Sequence, residues 1–167
     1  MGSPSSGPGV VRIFHCNINC TDLRRTLPFY QALGFKVVLD FGEGMESREM
    51  AEAFGMDRAR IKGVHLRLGD DPNAPRIDLL EFQDPPPGGT PYPHLHHNGI
   101  NRLCLKTRDI WQTYRAWKAR GVEFLSEPKR LPGTNVSIVY LPTFIDPSVR
   151  HVSRYMISVA SWGTPDQ

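Results

Sequence analysis

Three polar residues, His15, Asn17 and Asn19, recur at every second position of HCNINC, so in an extended chain they share one face. The alternate residues, Phe14, Cys16, Ile18 and Cys20, form an apolar face of the kind that packs beneath a helix. An imidazole beside two amides is unusual for a core face and usual for a pocket floor. Imidazole changes charge near neutral pH, and it serves as general acid, general base or metal ligand. The chain repeats the frame. HCNINCTDLRRTLPFYQALGF at 15–35 aligns without a gap with RLCLKTRDIWQTYRAWKARGV at 102–122, so that His15 meets Arg102, Asp22 meets Asp109 and Gly34 meets Gly121, each pair 87 positions apart. The first copy therefore offers an imidazole where the second offers a guanidinium, which keeps its protons and cannot become a metal ligand.

A fixed-period repeat defines the building block. In both copies a strand enters a polar turn, an amphipathic helix follows, and a glycine ends it. Thr21 or Asp22 caps the first helix, whose apolar stripe is Leu23, Leu27, Tyr30 and Leu33; Asp109 caps the second, with Ile110, Tyr114 and Trp117 inward. Pro28 predicts a kink or an early start in the first helix. The first strand is expected at 10–20 and further strands at 35–41, 62–68 and 76–82, with an extra helix inside SREMAEAFGM. In the second half they are expected at 123–125, 135–141 and 150–159. The expected organisation is a tail at 1–9, then one domain of two β-α-β-β-β modules at 10–84 and 99–160 joined by a proline-rich linker at 85–98. The fold class is α+β: a cupped, mixed, mostly antiparallel sheet with helices on its outer face.

Composition narrows the function. With 20 basic and 17 acidic residues among 167, the net charge is +3, and no run of Lys or Arg makes a nucleic-acid stripe or a membrane anchor. No apolar run approaches the ~18 residues that span a bilayer, and MGSPSSGPG has no secretory pattern. Cys16, Cys20 and Cys104 lack CxxC spacing and read as buried, reduced thiols, which fits a cytoplasmic protein. His94, His96 and His97 sit among prolines and read as a solvated loop, while Trp111 and Trp117 are expected in the core.

The two helical frames, together with IDLLEF, GINRLCLKTRDI and VYLPTFIDPSVRHVSRYM, resemble the opening, fourth-strand, second-opening and closing-hairpin segments of the vicinal oxygen chelate superfamily. That group includes glyoxalase I, methylmalonyl-CoA epimerase, extradiol dioxygenases and the bleomycin-resistance binding proteins. The resemblance covers about residues 10–160 and implies a pocket for a small molecule, commonly in a homodimer. Its metal-using members take ligands from the first and fourth strands of each module. Carried over, these positions are His15 and Glu81, then Arg102 and, by the Asp146-Pro147 turn, Ser153.

Only His15 and Glu81 suit a metal, and two ligands are too few for zinc and its neighbours. Arg102 would also repel: unit charges ~4 Å apart interact by about 4 kcal/mol at an effective dielectric of ~20, and a divalent ion doubles that. The expectation is therefore no metal and no other cofactor, although His15 and Glu81 would be the ligands if one were held. Glu81 and Arg102 are instead expected to pair across the pocket floor. His15 or Glu81 would move a proton and Arg102 would stabilise an enolate. Asn17, Asn19, His151, Ser153 and Tyr155 would line the pocket and bind the substrate.

The expected function is a metal-independent isomerase, epimerase or lyase acting on an oxygenated or carbonyl-bearing small molecule. One alternative is a non-catalytic binding protein of the bleomycin-resistance type, in which Glu81–Arg102 only fills a lost metal site. Another is a metal-dependent glyoxalase or dioxygenase, against which Arg102 argues.

Overall fold

The computed structural model describes residues 10–89, 100, 102–142 and 156–162. They fall into two compact units, 1–87 and 88–167. The first contains β1 (His15–Cys20), α1 (Leu23–Ala32), β2 (Phe35–Asp40), β3 (Met45–Glu46), α2 (Arg48–Ala53), β4 (Arg60–Leu68) and β5 (Arg76–Asp84). The second contains β6 (Arg102–Lys106), α3 (Ile110–Lys118), β7 (Lys129–Arg130), β8 (Val136–Pro142) and β9 (Met156–Trp162). The fold is α+β, with a mixed sheet in each unit.

The repeat is visible in detail. Asp22 caps α1 by accepting from the N–H groups of Arg24 and Arg25, and Asp109 caps α3 by accepting from Gln112. Gly34 and Gly121 follow the helices at φ 99° and 84°, a left-handed backbone that a Cβ disfavours. Pro28 lies inside α1, which runs through it as one helix.

In the first sheet the order is β1-β5-β4-β2, with β3 added to β4; β1 runs parallel to β5 and the other pairs are antiparallel. The second sheet, β6-β9-β8-β7, repeats the parallel pairing of its first and last strands. Parallel pairing needs a crossover, which α1 and α3 begin. Tyr30, Leu33 and Phe35 pack with Ile77, Leu79, Val64 and Leu66 in the first core. Ile110, Tyr114 and Trp117 pack with Val139, Leu141, Ile157 and Val159 in the second.

Several expectations are corrected. β1 starts at His15; Val10 and Val11 are exposed and outside it. Residues 123–125 form no strand. Leu125 N–H donates one isolated bond to the Tyr140 carbonyl, and Pro128, which has no N–H to give, separates it from the ladder that begins at Lys129. Trp111 is 44% exposed, whereas Trp117 is buried. The cysteines are free, but none is fully buried: Cys16 and Cys20 are partly covered and Cys104 is exposed. No helix among the described residues is long and apolar enough to cross a membrane.

Candidate functional site

Alternation sorts the first sheet into two faces. α1 lies on the face of Cys20, where the thiol is pushed up to about 11 by burial, with Thr26 hydrogen-bonding to it. Glu81 is on this same face, because its Oε2 accepts a 2.7 Å hydrogen bond from the backbone N–H of Leu23 at the start of α1. Its carboxylate therefore satisfies one of the free donors at a helix N-terminus, where negative charge is favoured. This corrects its expected place beside His15. Glu81 stands three residues after Asp78 on β5, and an odd interval crosses the sheet.

The opposite face carries His15. Its Nε2 lies 3.9 Å from Asp78 Oδ2, and the same oxygen accepts from Asn17 Nδ2 at 3.3 Å. His65, directly across β4 from Asp78, brings its Nε2 to 3.5 Å from Oδ1. Asp78 and His65 are 8% and 9% exposed, while the His15 side chain is 37% exposed and is the member open to a ligand. Asp78 Oδ1 is buried and has no hydrogen bond, since the imidazole at 3.5 Å is not aligned to give one. Burial lowers the pKa of His65; Asp78 opposes that, while His15 and Arg76 add to it. Arg76 donates from a guanidinium N–H to His65 Nδ1 at 3.4 Å, and its guanidinium carbon sits 5.1 Å from the centre of the Phe14 ring.

Gly63, two residues before His65, makes room on this face. A Cβ there would stand 3.0 Å from Phe41 Cδ2 and 2.8 Å from the Leu79 carbonyl, and would collide with Leu80 Cδ2. Phe41 uses that space to set its ring edge-on to His65, 5.3 Å between centroids.

Asn17 is thus brought to the cluster, and Asn19 follows it in register with Leu80. Arg102 opens β6 in the second unit, exposed, with its guanidinium 6.0 Å from the centre of the Tyr140 ring. Its expected pairing with Glu81 is contained in neither unit by itself. His151, Ser153 and Tyr155, and the histidines at 94, 96 and 97, lie outside the described residues. The residues that sequence reasoning missed are His65 and Asp78. Their signal was alternation: Gly63, His65 and Arg67 interleave with the apolar Val64 and Leu66.

His15, His65 and Asp78 are the residues that would hold a divalent cation, each offering one ligand atom within 4.8 Å of the others. Two imidazoles and a carboxylate suit zinc or iron in type. As arranged they do not fit one. An arginine always donates, so its bond to Nδ1 leaves the hydrogen of a neutral His65 ring on Nε2, the atom turned to Asp78. A cation between the rings needs that nitrogen bare, and it would also sit near a fixed guanidinium.

Residues 12–148 match the model of the Glyoxalase/Bleomycin resistance protein/Dioxygenase superfamily, and the chain belongs to that family. Its fold is similar to a glyoxalase family protein from Bacillus cereus, with a TM-score of 0.74 at 16% identity over 95% of this chain and 99% of that one. A glyoxalase/bleomycin resistance protein/dioxygenase from Nocardioides gives 0.57 at 18% identity, over 95% of this chain and 90% of that one. Glyoxalase I from Zea mays gives 0.56 at 16% identity; 89% of this chain aligns with 44% of that longer one. A comparison with curated proteins found no match.

Proposed function

We propose that this chain is an enzyme of the isomerase, epimerase or lyase type that moves a proton on a small oxygenated or carbonyl-bearing molecule without a metal. One observation carries the reading: a half-exposed imidazole, His15, stands against a buried carboxylate, Asp78, on the face of the first sheet opposite α1. Asp78 Oδ2 lies nearest to Nε2 of that ring, at 3.9 Å, which favours the hydrogen on Nε2 and leaves Nδ1 to act as the base. His15 takes a proton from a carbon next to a carbonyl; the electron pair of that C–H bond forms the C=C bond of an enolate, and the π pair of the carbonyl moves onto its oxygen. The imidazolium then returns the proton to the same carbon or to its neighbour. Asp78 stabilises the imidazolium, and the amide of Asn17 holds the carboxylate in place. A metal would supply Lewis-acid polarisation of the carbonyl; the arrangement around His65 favours chemistry by side chains alone.

The test is proton exchange. In D₂O the full chain is expected to wash deuterium into the α-position of its substrate among a panel of α-substituted carbonyl compounds, and His15→Ala is expected to abolish this. Tight binding of a panel member by the parent protein with no exchange overturns the reading in favour of a binding protein.

A further inference from the structure

The face of the first sheet opposite α1 is graded from one end to the other. In the first rung four neighbouring strands place His15, Arg76, Arg67 and Lys36 side by side. In the next come Asn17, Asp78, His65 and Leu39, and beyond them Asn19, Leu80 and Gly63, with Phe41 over the glycine. One end is thus cationic, the middle holds the acid–base groups, and the far end is apolar.

Arg67 and Arg76 face each other directly across an antiparallel pair, where like charges are destabilising. Lys36 has its own counter-ion, Asp70, at 2.8 Å. Asp70 also feels the charge of Arg67, but among the described residues no carboxylate lies within ion-pair distance of either guanidinium. Arg67 Nε is moreover buried without a hydrogen-bond partner. Burying a donor of a charged group unsatisfied is costly unless something arrives to accept from it. Arg76 is braced on Phe14 and on His65 Nδ1, which orients its fork before any ligand comes.

We infer that Arg67 and Arg76 form an anion subsite, and that the substrate is an organic acid whose carboxylate or phosphate is held there. Its apolar part runs towards Leu80 and Phe41, and its reacting carbon lies next to the anionic group, at the His15 ring, which starts in the rung of Arg76 and reaches to 3.9 Å from Asp78. This inference rests on the proposed proton transfer for the last clause only; the subsite itself stands on the two arginines. A guanidinium pair takes a carboxylate or a phosphate oxygen pair by forked hydrogen bonds.

The experiment follows the Arg67 Nε–H signal by NMR in the full-length chain at constant ionic strength, with acetate and inorganic phosphate as separate titrants. Saturable displacement of that signal by at least one anion is expected, and the titrant with the tighter Kd identifies the group the substrate carries. Arg67→Gln and Arg76→Gln, each checked for an intact amide spectrum and titrated through the backbone amide signals of β4 and β5, are expected to weaken binding at least tenfold. Lys36→Gln removes a charge from the same rung and is expected to change it less than twofold. No saturable shift of Arg67 with either anion overturns the inference, and so does an equal loss in Lys36→Gln, which would mean diffuse attraction only. If the wild-type signal saturates but no carbonyl compound exchanges its proton, the subsite stands and the proposed reaction falls.

Discussion

Gly63→Ala is the sharpest probe of how the pocket face is packed. The added methyl would lie 2.8 Å from the Leu79 carbonyl oxygen, 3.0 Å from Phe41 Cδ2 and on top of Leu80 Cδ2. Leu80 and Phe41 are side chains and can rotate, but the carbonyl belongs to the neighbouring strand of the ladder and can retreat only by opening it. Overpacking of this kind costs about 1–3 kcal/mol, and the upper half of that range applies where backbone must yield. For a chain of this size 1 kcal/mol moves Tm by roughly 2–4 °C, so a fall of about 4–12 °C is expected. Urea unfolding should give a lower midpoint at unchanged m, and the ring signals of His65 should shift as Phe41 is displaced from its edge-on contact. A midpoint within experimental error of the parent, with His65 unmoved, would refute the packing argument. It would mean that β4 and β5 are not in the register from which the cluster was built.

Three other outcomes are expected. Glu81→Gln should cost about 1–2 kcal/mol in urea unfolding, because a charge-assisted bond to Leu23 N–H becomes a neutral one, while anion binding stays within twofold; loss of binding would return Glu81 to the pocket. Cys104, which is exposed, should react with a thiol reagent at pH 8, where only about one Cys20 in a thousand is thiolate. The raised value for Cys20 also means that the unfolded thiol ionises first, so its contribution to stability is full below pH 9.0 and declines from there towards pH 11; equal labelling rates at pH 8 would contradict the burial. Purified protein should hold well under one equivalent of zinc, nickel, manganese or iron. One equivalent, lost in His65→Ala, would show that Arg76 gives way and that the His15, His65 and Asp78 cluster is a metal centre.

Local signals carried most of the fold. The aspartate caps, the glycine stops and the helix stripes depend on neighbours a few residues away, and both copies of the frame kept them. The pocket face on β1 was legible for the same reason, since alternation within HCNINC needs no partner strand. What failed was the step from residue type to position. Glu81 looks like a ligand because it is acidic and ends an apolar strand, yet which side it takes depends on pairing with β1, and there Asp78 won. His65 was hidden because its role comes from β4 lying against β5, a contact made across a separate strand and loop. The short β7 shows the converse: of 123–125 only Leu125 bonds to β8, by one backbone bond, and the continuous ladder starts after Pro128.

The two acids of β5 act as a pair of stops. One is pinned by a peptide N–H on the side of α1, the other by the Asn17 amide on the opposite side, with two imidazoles beside it. Sliding the strand by a single residue would drive each carboxylate into the wrong environment at once, stranding one beneath hydrocarbon and leaving the helix start bare. Mis-threaded forms of this half of the molecule are thus penalised twice for one error. The chemistry-bearing group and the structural one guard each other's alignment.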